Sequence, residues 1–323
     1  MTAVAVLAGL SAATYTPHAL HDADKVWPEK NCYTDLWIEL LHALGLDPHA
    51  SLSFVFGLDF EGDQWTFFKP PLAELRTLYG IDVQELTVWQ PLRAHAIEHL
   101  GAGKWLAVEV DAFWLPDTAG TDYRQAHSKT TIVLNAFDLE ARRLGYFHNA
   151  GYFELGGDDF AHLFALDDVP APLLPPYAEL IRIDRARALD DARLRALSNR
   201  LFAEHLAWRP ATNPVARFRD RFDAELPALQ QAGLAHYHRW AFAGVRQLGA
   251  AAELAALYLR WRDPDAPPQA AIDAFERIAQ HAKTLLLKVA RAVNSGRPLD
   301  ARPVLDEMAD AWERGMAALC EGQ

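Results

Sequence analysis

Leu36, Trp37, Leu40, Leu41 and Leu44 recur at the 3.6-residue period in NCYTDLWIELLHALG, which predicts a helix capped by Asn31 and stopped at Gly45. Further helices are expected at residues 71–80 and 91–103, with a strand at residues 83–88 between them. Residues 105–115, WLAVEVDAFWL, form an almost unbroken apolar run and read as a buried strand. Residues 130–137, the turn DLEARR and the returning segment LGYFHNAGYF predict a hairpin. The run SLSFVFGLDF also looks strand-like, with a polar loop after it. The opening MTAVAVLAGLSAAT reads as a first strand or helix packed on the body.

The texture changes further on. From residue 178 the chain is rich in Ala, Leu and Arg at helical spacing, with helices expected at 189–207, 213–231, 234–261, 268–294 and 302–320. Asn213-Pro214 supplies a cap followed by proline at the first helical position. Leu285, Leu286, Val289 and Val293 keep one apolar face. Between the halves, DDVPAPLLPPY carries four prolines and reads as a stiff connector. The expected organisation is therefore α+β: an α/β domain over residues 1–166, a linker over 167–177 and a helical bundle over 178–323.

Composition narrows the function classes. Of 323 residues, 51% are hydrophobic and 23% charged, so a sizeable core is expected. The net charge of -12 repels nucleic acid and anionic membranes, so neither is an expected partner. Two cysteines at opposite ends make no disulfide framework, which suits a cytoplasmic location. No Lys or Arg precedes Lys25, so the cationic start of a secretory signal is missing, and no apolar run is long enough to span a membrane.

Cys32 opens the first strong helix, where free N–H groups and the positive end of the dipole favour a thiolate and hold an oxyanion. On position alone a small buried hydrophobe is the commoner role for such a cysteine. Cys320, in a last helical turn, should ionise less readily. His127 precedes the strand 130–137, and the hairpin brings that region opposite His148 and Asn149, so a base and its orienting partner can meet there. Asp111, a carboxylate in an apolar strand, either orients His127 or holds the loop 116–126 through backbone N–H groups. Asn31, Gln64 and Trp37 are candidates for contacting substrate or an oxyanion, although a solvated turn is the plainer role for Gln64. His18, His21, Asp22 and Asp24 offer nitrogen and oxygen ligands but match no metal-binding spacing, so no metal is expected.

HALHDADKVWPEKNCYTDLWIELLHALGLDP, LDFEGDQWTFFKPPLAELRTLYGIDVQEL, VEVDAFWLPDTAGTDYRQAHSKTT and LGYFHNAGYFEL together resemble an uncharacterised bacterial family known as domain of unknown function 1839. That resemblance implies an association with carrier proteins and with enzymes that load amino acids onto them. More distantly, the order Cys-helix, Asp-bearing strand, His-strand-turn-strand is similar to the butirosin-pathway acyltransferase and to papain-like leader peptidases. It implies a papain-like N-terminal domain in which Cys32 is the nucleophile, His127 the base, and Asn149, with His148 beside it, completes the site. One position departs from the pattern: counting back from Asp138, the place where those relatives carry the histidine holds Thr130. The expected reaction is acyl or aminoacyl transfer from a carrier-protein thioester through Cys32 to a small-molecule amine. It needs no cofactor beyond the carrier's own phosphopantetheine. The alternatives are a papain-like amidase or peptidase and a non-catalytic module that binds a carrier protein.

Overall fold

The computed structural model describes residues 3–170, 172 and 174–321. The chain is mixed α+β, and its contacts divide it into two compact units. The first holds Met1–Asp22, Cys32–Asp47 and Leu72–Leu189; the second holds Ala23–Asn31, Pro48–Pro71 and Asp190–Gln323.

The first unit is an antiparallel sheet with helices on it. Its elements are β1 (Ala3–Ala5), α1 (Cys32–Ala43), α2 (Leu72–Tyr79), β4 (Asp82–Glu85) and α3 (Leu92–Gly101), then β5 (Trp105–Asp111), β6 (Lys129–Asp138), β7 (Arg143–His148), β8 (Gly151–Gly156), α4 (Gly157–Leu163) and β9 (Ala178–Arg182). The labels β2 (Phe60–Glu61) and β3 (Gln64–Trp65) belong to a small hairpin of the second unit. The strand order is β4-β9-β5-β6-β7-β8, with β1 also paired to β6. Alternate residues of the central strands face one core: Leu106 and Val108 of β5, Ile132 and Leu134 of β6, and Tyr146 of β7 pack with Ala96 and Leu100 of α3 and Phe160 of α4. Each large side chain so buried contributes roughly 1.5–3 kcal/mol. Against β6, β7 and β8 lies α1, whose residues from Tyr33 to Leu41 are all buried.

Beyond the β1–β6 pairing, one side-chain amide ties the N-terminal segment to this sheet. Asn135 is buried; its Oδ1 accepts from Leu7 N (2.9 Å) and Trp105 Nε1 (3.0 Å), while Nδ2 donates to Leu7 O (3.1 Å) and the Tyr152 hydroxyl (3.3 Å).

The second unit is built from α5 (Asp191–Ala207), α6 (Pro214–Ala232), α7 (Leu234–Ala241), α8 (Gln247–Arg262), α9 (Gln269–Ser295) and α10 (Arg302–Glu321). Asn213 caps α6 as expected, accepting from Val215 N and Ala216 N. Phe56 sits at the unit's centre, edge-on to Phe202, Tyr258 and Phe275. Residues 23–31 belong to it because Glu253 accepts from Val26 N (2.7 Å) and Trp27 N (3.0 Å), and Trp27 Nε1 donates to Ala279 O. A Cβ on Gly249 would come within 2.4 Å of the Trp27 ring, so glycine is required where that ring packs.

Four sequence expectations change. The run SLSFVFGLDF is mostly 3-10 helix, Pro48–Gly57, because its apolar residues pack on helices instead of pairing as a strand. The segment LGYFHNAGYF makes two strands: Asn149 takes a left-handed φ of 44° and reverses the chain, which returns as β8. Residues 178–182, expected at the head of the helical half, are a strand inserted between β4 and β5. The long helix at 234–261 is divided into α7 and α8 by a π-turn at Phe242–Arg246.

Candidate functional site

Asp117 fixes the polarity of a buried chain of hydrogen bonds in the first unit. Its carboxylate, 3% exposed, accepts from the Tyr146 hydroxyl and lies 2.5 Å from His148 Nδ1. An ionised carboxylate can only accept, so Nδ1 carries the proton and Nε2 presents its lone pair. Burial, then the charge of Asp117, pushes the Tyr146 phenol far above its ordinary value, so it stays a donor. His148 Nε2 lies 2.7 Å from Thr130 Oγ1, and the hydroxyl therefore donates to it. Thr130 also neighbours Cys32, and its side chain lowers the pKa of the thiol. Thr130 therefore stands between Cys32 and His148 Nε2, with Asp117 behind the imidazole.

Local structure explains each placement. Cys32 is the first residue of α1 and is partly exposed. Thr130 is buried near the start of β6, diagonal to His148 at the end of β7, where the register pairs Val133 with Phe147. Asp117 arrives from the loop after β5, in a single 3-10 turn, Pro116–Thr118, locked by Thr118 Oγ1 donating to the carbonyls of Ala112 and Leu115.

The Cys32 thiol differs from its expectation in one respect. Burial, and then the charge of Asp35, pushes its pKa up, against the smaller opposing effects of Lys129, Thr130 and the Tyr33 N–H. The helix start that argued for a thiolate is outweighed, because desolvation and a carboxylate one turn away act on the same atom. The resting group is a thiol that needs a base to ionise.

His127 is elsewhere in this unit. It is exposed, its ring stacks on Phe113 (4.4 Å), and Nδ1 lies 2.6 Å from Asp111 Oδ2. Asp111 meets His127, and its Oδ1 accepts from Phe113 N (3.1 Å), in the 3-10 turn Ala112–Trp114 that precedes the loop 116–126. His127 and Asp111 line a cavity of about 1010 Å³ together with Trp89, Trp114, Lys129 and the proline-rich segment that includes Pro170 and Pro175. Cys32 and His148 are not among its lining residues. Asn149 occupies the β7–β8 turn and is not paired with either histidine.

The remaining candidates are dispersed. Trp37 is fully buried in α1. Asn31 Nδ2 donates to Phe68 O, and Gln64 is exposed in the β2–β3 hairpin. Among the described residues no cluster of His, Cys, Asp and Glu is arranged to hold a metal. His21 instead sits between Glu39 (2.6 Å) and Asp35 (3.1 Å), and Tyr15 also donates to Glu39 (2.5 Å). Burial opposes the charge on His21, but its bonds to the two carboxylates prevail and raise its pKa.

Sequence reasoning missed Asp117 and Thr130 as site members. Asp117 had no local signal. Thr130 did: it stands where the pattern of the distant relatives asks for histidine.

Comparison with known proteins supports the resemblance at the family level. Residues 16–183 match the DUF1839 N-terminal domain and residues 191–321 match the DUF1839 C-terminal domain. No curated protein matches the chain. Among the described residues no helix is long and apolar enough to cross a membrane.

Proposed function

The chain belongs to the DUF1839 family over nearly all of its length, and from that premise we propose that it is a cysteine-dependent acyl or aminoacyl transferase. Cys32 takes the acyl group from a carrier-protein thioester, and an amine then accepts it. The observation that carries this reading is the buried hydrogen-bond chain Thr130–His148–Asp117 beside the Cys32 thiol. Its logic is that of a nucleophile, a base and an orienting carboxylate, with a hydroxyl inserted as relay. A helix led by cysteine and packed on an antiparallel sheet that carries the base is also the layout the papain-like resemblance implies.

In the first half-reaction the thiol proton passes to Thr130 as the Thr130 proton passes to His148. The sulfur adds to the thioester carbonyl, and the carrier's thiolate leaves, recovering the proton by the reverse path. One thioester replaces another, so the exchange is close to neutral in energy. The raised thiol pKa suits this step, since a more basic thiolate is intrinsically the stronger nucleophile once formed. In this reading the base is His148, not His127, because His148 is bonded to Thr130, the neighbour of the thiol. The cofactor is then the phosphopantetheine that the carrier brings.

Intact-mass measurement after incubation with acyl- and aminoacyl-loaded carrier proteins tests this reading. An acyl adduct should form on the unmodified chain and on Cys320→Ala, and be lost in Cys32→Ala and strongly slowed in His148→Ala. An adduct that persists in Cys32→Ala would sink the assignment.

A further inference from the structure

The proposed transfer leaves the His127–Asp111 pair without a task, and this pair is built like a second base. Asp111 holds Nδ1 at 2.6 Å, so Nδ1 is the donor and Nε2 carries the lone pair. Phe113 stacks on one face of the ring at 4.4 Å and limits its rotation. No described residue hydrogen-bonds Nε2. The side chain is 69% exposed and belongs to the wall of the 1010 Å³ cavity.

The cavity has a definite chemistry. Trp89, Leu92, Leu163 and several prolines supply apolar walls, whereas the Trp114 ring, also in the lining, is stacked on His162 (3.5 Å). Trp114 already carries a cation: the Arg124 guanidinium lies 4.4 Å from its ring centroid. Its two carboxylates are both engaged, Glu109 with Lys129 (2.6 Å) and Asp111 with His127 (2.6 Å), and Arg93 also lines it. What the lining offers an amine is apolar contact for its body and the His127 Nε2 lone pair for its ammonium head. The cavity also approaches the thiol along the chain. Ser128 and Lys129 line it, Thr130 follows directly, and the charge of Lys129 is felt at Cys32.

We propose that this cavity is the acceptor site of the transferase, that it takes a primary amine with an apolar or aromatic body, and that His127 is the base that makes the amine nucleophilic. The inference rests on the acyl-transfer reading of Cys32. The acceptor arrives as an ammonium ion. His127 Nε2 removes one proton, leaving a neutral amine. Its nitrogen adds to the carbonyl of the Cys32 thioester; the N–C bond forms, the C–S bond breaks, and the second nitrogen proton passes to the departing sulfur. His127 then releases its proton to solvent. Asp111 positions His127 and does not touch the amine.

The test uses the full chain, acetyl-N-acetylcysteamine as a thioester donor and 2-phenylethylamine as the acceptor. Intact mass follows acylation of Cys32 and its decay as amine is added. In the unmodified chain the adduct should form and then decay with saturable dependence on the amine. In His127→Gln the adduct should accumulate, with the decay constant at saturating amine at least ten-fold lower. Asp111→Asn should lower that constant while leaving half-saturation unchanged, a split that general loosening of the fold would not produce. Trp89→Ala should raise half-saturation instead. Equal decay in His127→Gln and the unmodified chain overturns the acceptor-site inference and leaves Cys32 chemistry standing. Absence of any adduct on the unmodified chain overturns the acyl-transfer reading, and this inference with it.

Discussion

Asp35 lies one helical turn beyond Cys32 in α1, and its charge opposes ionisation of the thiol. Asp35→Asn keeps the shape and an acceptor for His21 while removing the charge. Alkylation of Cys32 by iodoacetamide should therefore speed up at neutral pH, and its pH profile should move to lower pH. In the unmodified chain the exposed Cys320 should alkylate faster than the partly buried Cys32, the reverse of what helix position alone suggests. Peptide mapping after timed quenching reads both rates.

Replacing Thr130 by Val removes the relay hydroxyl at nearly constant volume. Cys32 acylation should fall by about 10²-fold, in the range of a lost general-base contact, and Thr130→Ser should restore most of it. The Val change also leaves His148 Nε2 buried without a partner, at a cost of about 1–3 kcal/mol. Melting curves should show that loss, and equal acylation by the Val and Ser variants would remove the relay from the mechanism.

Asp117→Asn exchanges an obligate acceptor for a group that can donate. His148 then loses the bias that keeps its lone pair on Nε2. Acylation should drop by at least about 10²-fold while the fold persists. Asp117→Ala should in addition destabilise the chain, because Tyr146 and His148 both lose a buried partner. Steady-state rates and circular dichroism separate the two effects.

The cluster of His21, Asp35, Glu39 and Tyr15 should shape stability against pH. Burial opposes ionisation of Glu39, but His21, Tyr15 and the His18 N–H outweigh it and lower its pKa, whereas that of His21 is raised. The Glu39 contribution is thus present above its unfolded value of about 4.3 and is lost as pH falls through the lowered folded value. The His21 contribution is full below about pH 6.5 and is lost as pH rises through the raised folded value. Urea denaturation across pH 4–9 should show the alkaline loss in the unmodified chain and a flatter profile in His21→Ala.

How far the sequence alone reached can be read residue by residue. Spacing and composition located α1, α2, α3 and the C-terminal helices, with a clear cap at α6 in Asn213. It failed at Pro48–Gly57, where Phe54, Val55 and Phe56 are all buried and period carries no information. Cys32 was legible from its place at a helix start, and Asp111 from its cost in an apolar strand. The choice between His127 and His148 was not legible, since both lie at strand ends and only the β6–β7 register decides which reaches Thr130. Asp117 was invisible for a related reason: its partner is 31 residues away, and a loop folded on itself brings them together.

Gly145 in β7 marks a close packing limit. An added Cβ would lie 2.1 Å from the Tyr152 hydroxyl and 3.2 Å from Ala136 Cβ. Tyr152 is buried and engaged by Asn135, so it cannot simply swing away. Gly145→Ala should cost about 1–3 kcal/mol, the range for overpacking, measured as a lowered denaturation midpoint with an unchanged slope.

The edge of β6 is shared by two segments far apart in the chain: β5 covers Lys129 to Leu134, and β1 covers Ala136 to Asp138. Closing β1 onto β6 joins Ala3 to Asp138, whereas β6, β7 and β8 meet through short turns. Loop-closure entropy therefore orders assembly in time. The β6–β7–β8 meander forms early, and the clasp of Leu7 by Asn135 comes late. In pulse-labelled hydrogen exchange during refolding, the Tyr146 amide should gain protection before that of Leu7. The N-terminal strand is then the last stitch of the sheet and, on partial unfolding, the first to open.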